Sequence, residues 1–453
     1  MSKYDINELY DITAENRHLK TLLTSLGERT LYDATAQCNR CGYCETVCPT
    51  YMITGRETIS ARGRNQFVRM LVEGRTKNVR AAAEALSTCL LCGACTSACY
   101  AKVPTADIAL EGRRSLSGHG ENLFSKIAVE TLLNAPNLFS FWLKTAYLLK
   151  RLGLARLAGW MGLYDFTGMP ALKDAQNAMG KAPLRFASEI LARDQALARE
   201  GKTKAAWAYF APCGPNYVFP EVALATVRNL QRYLGDGVFI ENSCCGLLAH
   251  NYGRLEDAKA FAKKNILLYE DLKAGLGDFV LVGDCSSCVA FMKAYEQLFT
   301  GDAAWRPRAA AFAAAVRDVL EIIPPEKVKR SERASSAGKV VYHDSCRACH
   351  GQGIRREPRV VIKKLALERW RELPESDWCC GGAGAYAFTQ TSMSNSVLER
   401  KLTNIASTQA DTVVVGGTSC LIQINGGLKT AYPSAKAVHY SVFLDKFGEP
   451  EKC

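Results

Sequence analysis

The C-terminal half of the chain alternates short apolar runs with longer stretches of helical periodicity. Five apolar runs predict buried strands: Ala205–Phe210, Val238–Ile240, Phe279–Val282, Val340–His343 and Thr412–Val415. Three stretches in which apolar residues recur every three or four positions predict helices: Glu221–Leu234, Leu255–Ala274 and Ser394–Ala406. Strands that alternate with helices favour an α/β arrangement around a parallel sheet.

Cysteines follow these predicted strands, and they do so twice. Cys213, the pair Cys244 and Cys245, and Cys288 recur as Cys346, the pair Cys379 and Cys380, and Cys420, at offsets of 133, 135 and 132 residues. This period indicates a duplicated unit of about 130 residues. Because ligands of open α/β sheets bind beyond the carboxyl ends of the strands, we expect the thiols of each copy to converge on one site.

The two copies differ in their number of thiols. The first copy has five, since Cys285 joins the four that recur, whereas Gly417 stands at the matching position of the second copy. The second copy also has Cys349, where the first has Asn216. Buried structural thiols or one zinc ion per copy are the alternatives to an iron–sulfur centre.

Two further cysteine runs with one common spacing lie near the N-terminus. The first run is Cys38, Cys41, Cys44 and Cys48, and the second is Cys89, Cys92, Cys95 and Cys99. This spacing is typical of two-cluster ferredoxins, in which the fourth Cys of each run binds the other cluster. It assigns Cys38, Cys41, Cys44 and Cys99 to the first [4Fe–4S] cluster and Cys89, Cys92, Cys95 and Cys48 to the second. Paired zinc sites also use CxxC, but they have no use for a third and fourth Cys at this spacing.

Composition sets limits on the remaining possibilities. A chain of 453 residues with 23% charged and 48% hydrophobic residues is globular and long enough for two to four domains. The segment Met1–Asp11 is polar, unlike a secretory signal. The 19 Cys are clustered, and clustered Cys without such a signal favour metal sites in a reducing compartment. The net charge of +12 does not predict nucleic-acid binding, because four clusters of about −2 each would remove roughly 8 charges. No P-loop or GxGxxG motif predicts nucleotide or flavin binding.

Several motifs together resemble a known family. They are Gln37–Thr50, Ser60–Arg64, Cys89–Arg113, Asn242–Gly246, Asp284–Cys288, Tyr342–Cys346, Cys379–Tyr386 and Thr418–Gln423. The chain resembles the iron–sulfur subunits that join two ferredoxin-type clusters to two CCG cysteine-rich domains. This family includes the glycolate/lactate oxidase iron–sulfur subunit, the anaerobic glycerol-3-phosphate dehydrogenase C-subunit and heterodisulfide reductase D-type subunits. In relatives with five Cys, the resemblance implies a non-cubane [4Fe–4S] cluster that reduces disulfides.

From these observations we expect an α+β multidomain protein. A helical bis-[4Fe–4S] ferredoxin-type domain occupies residues 1–115 and a helical linker residues 116–204. Two duplicated α/β CCG domains follow, at residues 205–330 and 338–453. Five thiols would bind a centre in the first, namely Cys213, Cys244, Cys245, Cys285 and Cys288, and four in the second, namely Cys346, Cys379, Cys380 and Cys420. One or two of these centres are expected to be iron–sulfur clusters, with a non-cubane [4Fe–4S] form as the alternative to a cubane.

The expected function is electron transfer within an oxidoreductase complex. The resemblance implies a flavoprotein dehydrogenase of the 2-hydroxy acid type, or another redox subunit, as one partner. A quinone, a membrane subunit or another carrier would be the second partner. The alternative is a catalytic disulfide or heterodisulfide reductase that uses the first CCG domain. We expect a cytoplasmic protein, with a peripheral position on the inner face of the membrane as the alternative.

Three features have two interpretations at this stage. Arg62 and Arg64 pair with a cluster or a partner, or simply begin a solvated helix. His343 tunes a nearby cluster or carries protons, or is a satisfied residue at a strand end. The apolar segment Leu123–Phe166 is too interrupted by charge to span a bilayer, and it forms either a core-facing linker or an interfacial helix.

Overall fold

The computed structural model describes residues 21–24, 27–76, 79–116, 131, 135–154, 182–336, 338–384 and 386–451. Much of the expected linker lies outside this range. Its described part contains one long helix, α7 (Pro136–Arg151), which is anchored by the buried side chain of Tyr147. The Tyr147 ring makes edge contacts with Phe186, and its hydroxyl donates a hydrogen bond of 3.2 Å to the Tyr217 carbonyl.

The N-terminal region is an antiparallel hairpin followed by short helices. The strands are β1 (Thr21–Thr24) and β2 (Gly27–Thr30). The helices are α1 (Leu31–Ala36), α2 (Pro49–Thr54), α3 (Ala61–Val72), α4 (Val79–Ser87), α5 (Ala94–Ala98) and α6 (Thr105–Ser115). Leu31, Val68, Leu86 and Ile108 form the core between α1, α3, α4 and α6. A Cβ at Gly112 would lie 2.6 Å from Val68 Cγ2, so the glycine lets α6 pack closely on α3.

The first repeat is built on a four-stranded parallel sheet in the order β4-β3-β5-β6. Its strands are β3 (Trp207–Phe210), β4 (Gly237–Ile240), β5 (Val280–Gly283) and β6 (Val316–Asp318). Its helices, with the short α8 before the sheet, are α8 (Ala187–Leu191), α9 (Cys213–Tyr217), α10 (Pro220–Leu234), α11 (Leu247–Asn251), α12 (Leu255–Leu276), α13 (Ser286–Met292), α14 (Tyr295–Leu298), α15 (Arg306–Ala315) and α16 (Val319–Ile322). Every residue of β3 and β4 is buried, as expected for strands covered on both faces.

The second repeat has a three-stranded parallel sheet in the order β10-β9-β8. The strands are β8 (Val340–His343), β9 (Thr412–Val415) and β10 (Lys436–His439). The helices are α17 (Cys346–Cys349), α18 (Arg356–Ala366), α19 (Tyr386–Thr389), α20 (Thr391–Ser407), α21 (Thr418–Ala431) and α22 (Tyr440–Phe447). After α22, the short strand β11 (Gly448–Pro450) pairs antiparallel with β7 (Val328–Arg330), from the segment between the repeats.

The sheets of the two repeats correspond strand by strand. Trp207 of β3 and Val340 of β8 are 133 positions apart, and so are Gly237 of β4 and Trp370. Trp370 forms an isolated parallel bridge with Val340 of β8. This bridge takes the place that β4 has beside β3 in the first repeat. The second repeat therefore keeps the strand order of the first and reduces one strand to a single bridge.

The two repeats exchange their terminal helices. Helix α22, which follows the last strand of the second repeat, packs on α10 of the first. Asn229 Nδ2 donates a hydrogen bond of 2.8 Å to the Ser441 carbonyl, and Arg228 pairs with Asp445 at 2.6 Å. In the reciprocal position, α16 packs on α18. The repeats thus share one hydrophobic cluster, which contains Trp207 of the first and Phe443 of the second.

Candidate metal centres

Four thiols of the N-terminal region line one cavity. They are Cys48, at the start of α2, Cys89 and Cys92, from the loop that leads into α5, and Cys95, within α5 itself. These are the residues that the sequence assigned to the second ferredoxin-type cluster. Cys48 comes from the other run, so the structure brings together the crossed set that the spacing predicts. Four converging thiols in a low-polarity cavity fit an iron–sulfur cluster.

Arg64 is the cation beside this cavity. Its side chain is buried, and Nη1 lies 3.8 Å from the Sγ atom of Cys48. Nη2 donates hydrogen bonds of 3.0 Å to Thr50 Oγ1 and 2.9 Å to Thr88 Oγ1. Arg62, by contrast, forms ion pairs with Glu57 and Glu45 near the surface. The two arginines of the Ser60–Arg64 motif therefore have different roles, and the guanidinium of Arg64 is the one that faces a thiol.

The thiols assigned to the first ferredoxin-type cluster lie on the neighbouring loop. Cys38 and Cys99 both pack against the core between α1 and α6. Burial, followed by the charge of the Cys38 thiolate, raises the pKa of Cys44 to about 11. Cys41 is exposed. This group is thus more open to solvent than the group around Cys48.

The five thiols of the first repeat converge beyond the carboxyl ends of β3, β4 and β5. Cys213 begins α9, Cys244 and Cys245 follow β4, and Cys285 and Cys288 lie at the start of α13. Gly246, with φ of 84°, makes the turn that brings both adjacent thiols to the site. Cys213 and Cys245 each lie close enough to Cys244 and Cys288 for the thiols to change one another's pKa. All five residues named from the sequence are therefore neighbours.

The thiols of the first repeat differ in acidity and exposure. Hydrogen bonds with Cys288, and then with Thr418, lower the pKa of Cys285 to about 6. Hydrogen bonds with Cys244 and Cys288 lower the pKa of Cys245 to about 6. Both thiols are buried, whereas Cys213 is exposed. The site thus offers thiolates to a metal and opens to solvent on the Cys213 side.

The four thiols of the second repeat also converge, at the matching edge of its sheet. The thiols of Cys346 and Cys379, of Cys379 and Cys380, and of Cys380 and Cys420 lie close enough to change one another's pKa. Cys379, Cys380 and Cys420 are buried, so this site is less accessible than the one in the first repeat. Cys349 is a further thiol of the second repeat that could replace the fifth ligand missing at Gly417. Its Sγ lies 3.8 Å from the carbonyl oxygen of Cys346, and this contact with the backbone does not support that replacement.

His343 lies beside this second thiol group. It is fully buried at the end of β8, and one of its ring nitrogens and the Sγ atoms of Cys380 and Cys420 all lie within 4.8 Å of one another. Its Nδ1 lies 3.2 Å from the Ser376 carbonyl oxygen. Burial, and then the charge of Lys401, holds the pKa of His343 well below its usual value. The imidazole is therefore neutral.

The ferredoxin-type region and the second repeat meet at their thiol groups. Cys92 packs in one hydrophobic cluster with Cys346 and Cys379, together with Leu90 and Trp378. Burial, and then the negative charge of the Cys346 and Cys95 thiolates, raises the pKa of Cys92 well above its usual value. The cavity lined by Cys48 is therefore adjacent to the thiol group of the second repeat.

The thiol groups of the two repeats are joined in the same way. Cys285 Sγ lies 3.4 Å from the hydroxyl oxygen of Thr418, which begins the helix that carries Cys420. Ser286 donates a hydrogen bond of 2.8 Å from its hydroxyl to the Gly416 carbonyl. Residues next to one site thus contact residues next to the other.

Two residues of these sites were missed by the sequence interpretation. Thr418 was noted only as part of a motif, because a hydroxyl that contacts a thiol from another repeat leaves no local signal. Lys401 has no exposed surface, although Lys is seldom buried. A signal for it existed, since Lys401 falls at helical spacing among Ser394, Val397 and Ile405 on the buried face of α20.

Comparison with known proteins agrees with this arrangement. The model of the 4Fe-4S dicluster domain matches residues 34–103, and that of the cysteine-rich domain matches residues 207–293 and 340–425. The probable glycolate oxidase iron-sulfur subunit of Bacillus subtilis is 28% identical over 440 residues, covering 94% of this chain and 97% of that protein. The chain therefore contains a 4Fe-4S dicluster domain followed by two cysteine-rich domains.

Shorter relatives match about half of the chain. Lactate utilization protein A 2 of Bacillus cereus is 28% identical over 240 residues, which is 52% of this chain and 96% of that protein. Lactate utilization protein A of Oceanobacillus iheyensis is 27% identical over 241 residues, or 53% of this chain and 96% of that protein. In the part of the chain that the structure describes, no helix is long and apolar enough to cross a bilayer.

Proposed function

We propose that this chain is the electron-transfer subunit of a complex with a flavoprotein dehydrogenase that oxidises a 2-hydroxy acid. The partner class is suggested by the relatives named for glycolate oxidase and lactate utilization. Removal of a hydride from carbon needs a two-electron cofactor, whereas iron–sulfur clusters with full thiolate ligation exchange single electrons. The chain therefore receives electrons from a partner and passes them to a quinone or another carrier.

The ligands proposed for the ferredoxin-type clusters are the crossed sets described above. Cys38, Cys41, Cys44 and Cys99 hold the first, and Cys89, Cys92, Cys95 and Cys48 hold the second. The proposed centre of the first repeat uses Cys213, Cys244, Cys245, Cys285 and Cys288. That of the second repeat uses Cys346, Cys379, Cys380 and Cys420. The proposed domain limits are 1–115, 205–330 and 338–453, with a helical linker at 116–204.

One observation carries this proposal, namely that Cys92 and Cys346 pack against one hydrophobic cluster, which contains Cys379. It puts the second ferredoxin-type group next to the second repeat, and the contact of Cys285 with Thr418 continues to the first repeat. The thiol groups thus form a continuous series that ends at the exposed Cys213. A series of adjacent metal sites with a buried middle and accessible ends suits transfer between two partners.

The test uses the full-length chain, expressed with an affinity tag in its own cell and purified without oxygen. We expect the captured complex to contain flavin and to transfer electrons from a 2-hydroxy acid to a quinone analogue, and the chain alone to oxidise no such substrate. Two buried cysteines of the second repeat form a matched pair. Cys420→Ser should interrupt this transfer, whereas Cys349→Ser should preserve it. Equal activity of wild type and Cys420→Ser would exclude the second repeat from the route.

A second candidate function is supported by the exposure of Cys213. An accessible five-thiol site in the first repeat suits a disulfide reductase, in which the substrate sulfur approaches the metal centre. Turnover of a disulfide by the chemically reduced chain alone would favour this function over electron transfer. Loss of that turnover in Cys213→Ser, with normal electron uptake, would locate it in the first repeat. A peripheral position at the membrane, next to a quinone, is proposed only for the electron-transfer function.

A further inference from the structure

The second repeat has two buried histidines in equivalent positions of one sheet. His343 ends β8 and His439 ends β10, and both pair with Val415 of the strand between them. Both side chains are at most 1% exposed. A buried imidazole with an unsatisfied nitrogen is costly, so each histidine should have a partner for both ring nitrogens.

The proton of His343 is fixed by its contact with Ser376. The Ser376 carbonyl oxygen lies 3.2 Å from Nδ1, and a carbonyl can only accept, so Nδ1 carries the hydrogen. This oxygen also accepts from Asp344 N at 3.0 Å and from Lys401 Nζ at 3.2 Å. Lys401 is itself held by a second bond of 2.5 Å to the Glu375 carbonyl. The acceptor is thus rigid, and Nε2 of His343 is left with a free lone pair.

That lone pair has no hydrogen-bond donor among the described residues. The thiol sulfurs of Cys380 and Cys420, however, are within 4.8 Å of the ring and of each other. Two thiolates and a neutral imidazole are the donors that Zn²⁺ and iron bind in tetrahedral sites. An imidazole that donates its other N–H to a backbone carbonyl is also the usual arrangement of a metal-bound histidine.

We propose that Nε2 of His343 is a ligand of the metal centre in the second repeat, together with the thiolates of Cys380 and Cys420. The second repeat would then hold a mixed thiolate–imidazole centre, unlike the five-thiolate site of the first. Gly417 of the second repeat stands where the first repeat has its fifth thiol, Cys285. The nitrogen of His343 would be the fifth protein ligand instead. Lys401, which supports the Ser376 carbonyl, is a positioning residue for this ligand.

His439 is the natural control for this proposal. Its Nδ1 accepts a hydrogen bond of 3.2 Å from the backbone N–H of Ser441, so its hydrogen is on Nε2. Nε2 of His439 also has no close hydrogen-bond partner among the described residues, but it carries the hydrogen and so has no lone pair for a metal. Only the tautomer therefore distinguishes the two orphaned nitrogens. The two histidines share burial, sheet and register with Val415, but they have opposite tautomers.

The experiment uses the full-length chain, purified anaerobically as wild type, His343→Gln, His439→Gln and His343→Cys. Zinc and iron are counted first. If zinc is present, X-ray absorption at the zinc edge should show the scattering of one imidazole in the wild type and in His439→Gln. If zinc is absent, pulsed EPR of the reduced chain should show coupling to a histidine nitrogen that changes when histidine is labelled with ¹⁵N.

The expected result is that both His343 variants lose this nitrogen signal, whereas His439→Gln keeps it. In His343→Cys the metal should be retained with one additional sulfur neighbour. Because ¹⁵N labelling and the zinc-edge spectrum are read on wild-type protein, the proposal stays testable if the variants do not fold. A wild-type centre without nitrogen coordination, or a nitrogen signal that persists in His343→Gln, would overturn it. None of these measurements depends on the electron-transfer activity.

Discussion

The hydroxyl of Tyr386 donates a hydrogen bond of 2.8 Å to the backbone carbonyl of Thr88. Thr88 directly precedes Cys89, and Tyr386 ends the motif that begins with the Cys379–Cys380 pair of the second repeat. The bond therefore ties the cysteine loop of the ferredoxin-type region to that of the second repeat. It also lies beside Arg64, which donates to the Thr88 hydroxyl.

Substitution of Tyr386 by Phe removes this bond and little else. We expect a loss of about 1 kcal/mol in the free energy of unfolding, because a neutral hydrogen bond contributes about that much and leaves a buried carbonyl without its partner. We also expect slower electron transfer from the ferredoxin-type clusters to the second repeat, measured by rapid-mixing absorption. Tyr432→Phe, at the end of α21, is the control. Equal transfer rates in both variants would show that the loop contact does not set the rate.

Replacement of Arg64 by Met should lower the reduction potential of the cluster near Cys48. A buried cation and its hydrogen bond to a ligand sulfur stabilise the reduced, more negative cluster, so we expect a decrease on the order of 50 mV. The lost contacts with Thr50 and Thr88 should also cost about 3 kcal/mol of stability. EPR-monitored redox titration measures the potential. Arg62→Met removes ion pairs with Glu45 and Glu57 and a bond to the Arg40 carbonyl, but no contact with Cys48, so it should leave this potential unchanged. A shift of equal size there would contradict the role of Arg64.

The ligand difference between the repeats can be reversed at Gly417. Its φ of −150° is extended backbone that any residue adopts, and the nearest atom to a Cβ there would be Ser345 Oγ at 3.3 Å. We expect Gly417→Cys to give the second repeat a five-thiol set and to change its EPR spectrum. Cys285→Ser should change the spectrum of the first repeat.

Cys349→Ser is the matched control for both changes. Its thiol faces the Cys346 carbonyl, so metal content and spectra should stay as in the wild type. Loss of the second centre in this variant would restore Cys349 as a ligand. An unaltered spectrum in Cys285→Ser would remove Cys285 from the ligands of the first repeat.

The free energy of unfolding should decrease as pH rises, because Asp318 loses its proton. Burial raises the pKa of this carboxyl to about 6, and its Oδ2 accepts a bond of 2.9 Å from Gln352 across the two repeats. The folded pKa is above the ordinary value of 3.8, so the folded chain binds the extra proton. Its contribution is therefore present at low pH and is lost as pH rises from about 4 to 6, by up to about 3 kcal/mol. The unfolding midpoint of Asp318→Asn should vary less over this range than that of the wild type; parallel curves would contradict the assignment.

The fold of the repeats was largely predictable, because buried parallel strands give continuous apolar runs. The predicted strand Val340–His343 and the observed strand are identical, and the predicted helix Leu255–Ala274 ends two residues early. The strands β6 and β10 were missed. Val316–Asp318 is only three residues long, and Lys436–His439 begins with an exposed Lys, so neither gives a clear run.

The sequence predicted which thiols form the candidate sites, but it did not predict which other residues surround them. Cysteine spacing identifies which residues can converge, since few other functions need that pattern. It does not distinguish the buried Arg64 from the more exposed Arg62, because the difference arises from the packing of α3 against the Cys48 loop. Likewise the tautomer of His343 depends on Ser376, a residue 33 positions away in the chain.

Because each repeat packs its terminal helix, α16 or α22, on the other repeat, the two repeats associate like the subunits of a dimer within one chain. Because α22 covers α10, a chain that ended before Tyr440 would expose the core of the first repeat, more than 200 residues upstream. Neither repeat is then a module that can be transplanted alone. The repeating unit of the sequence is one copy, whereas the hydrophobic core that stabilises the fold is shared by two.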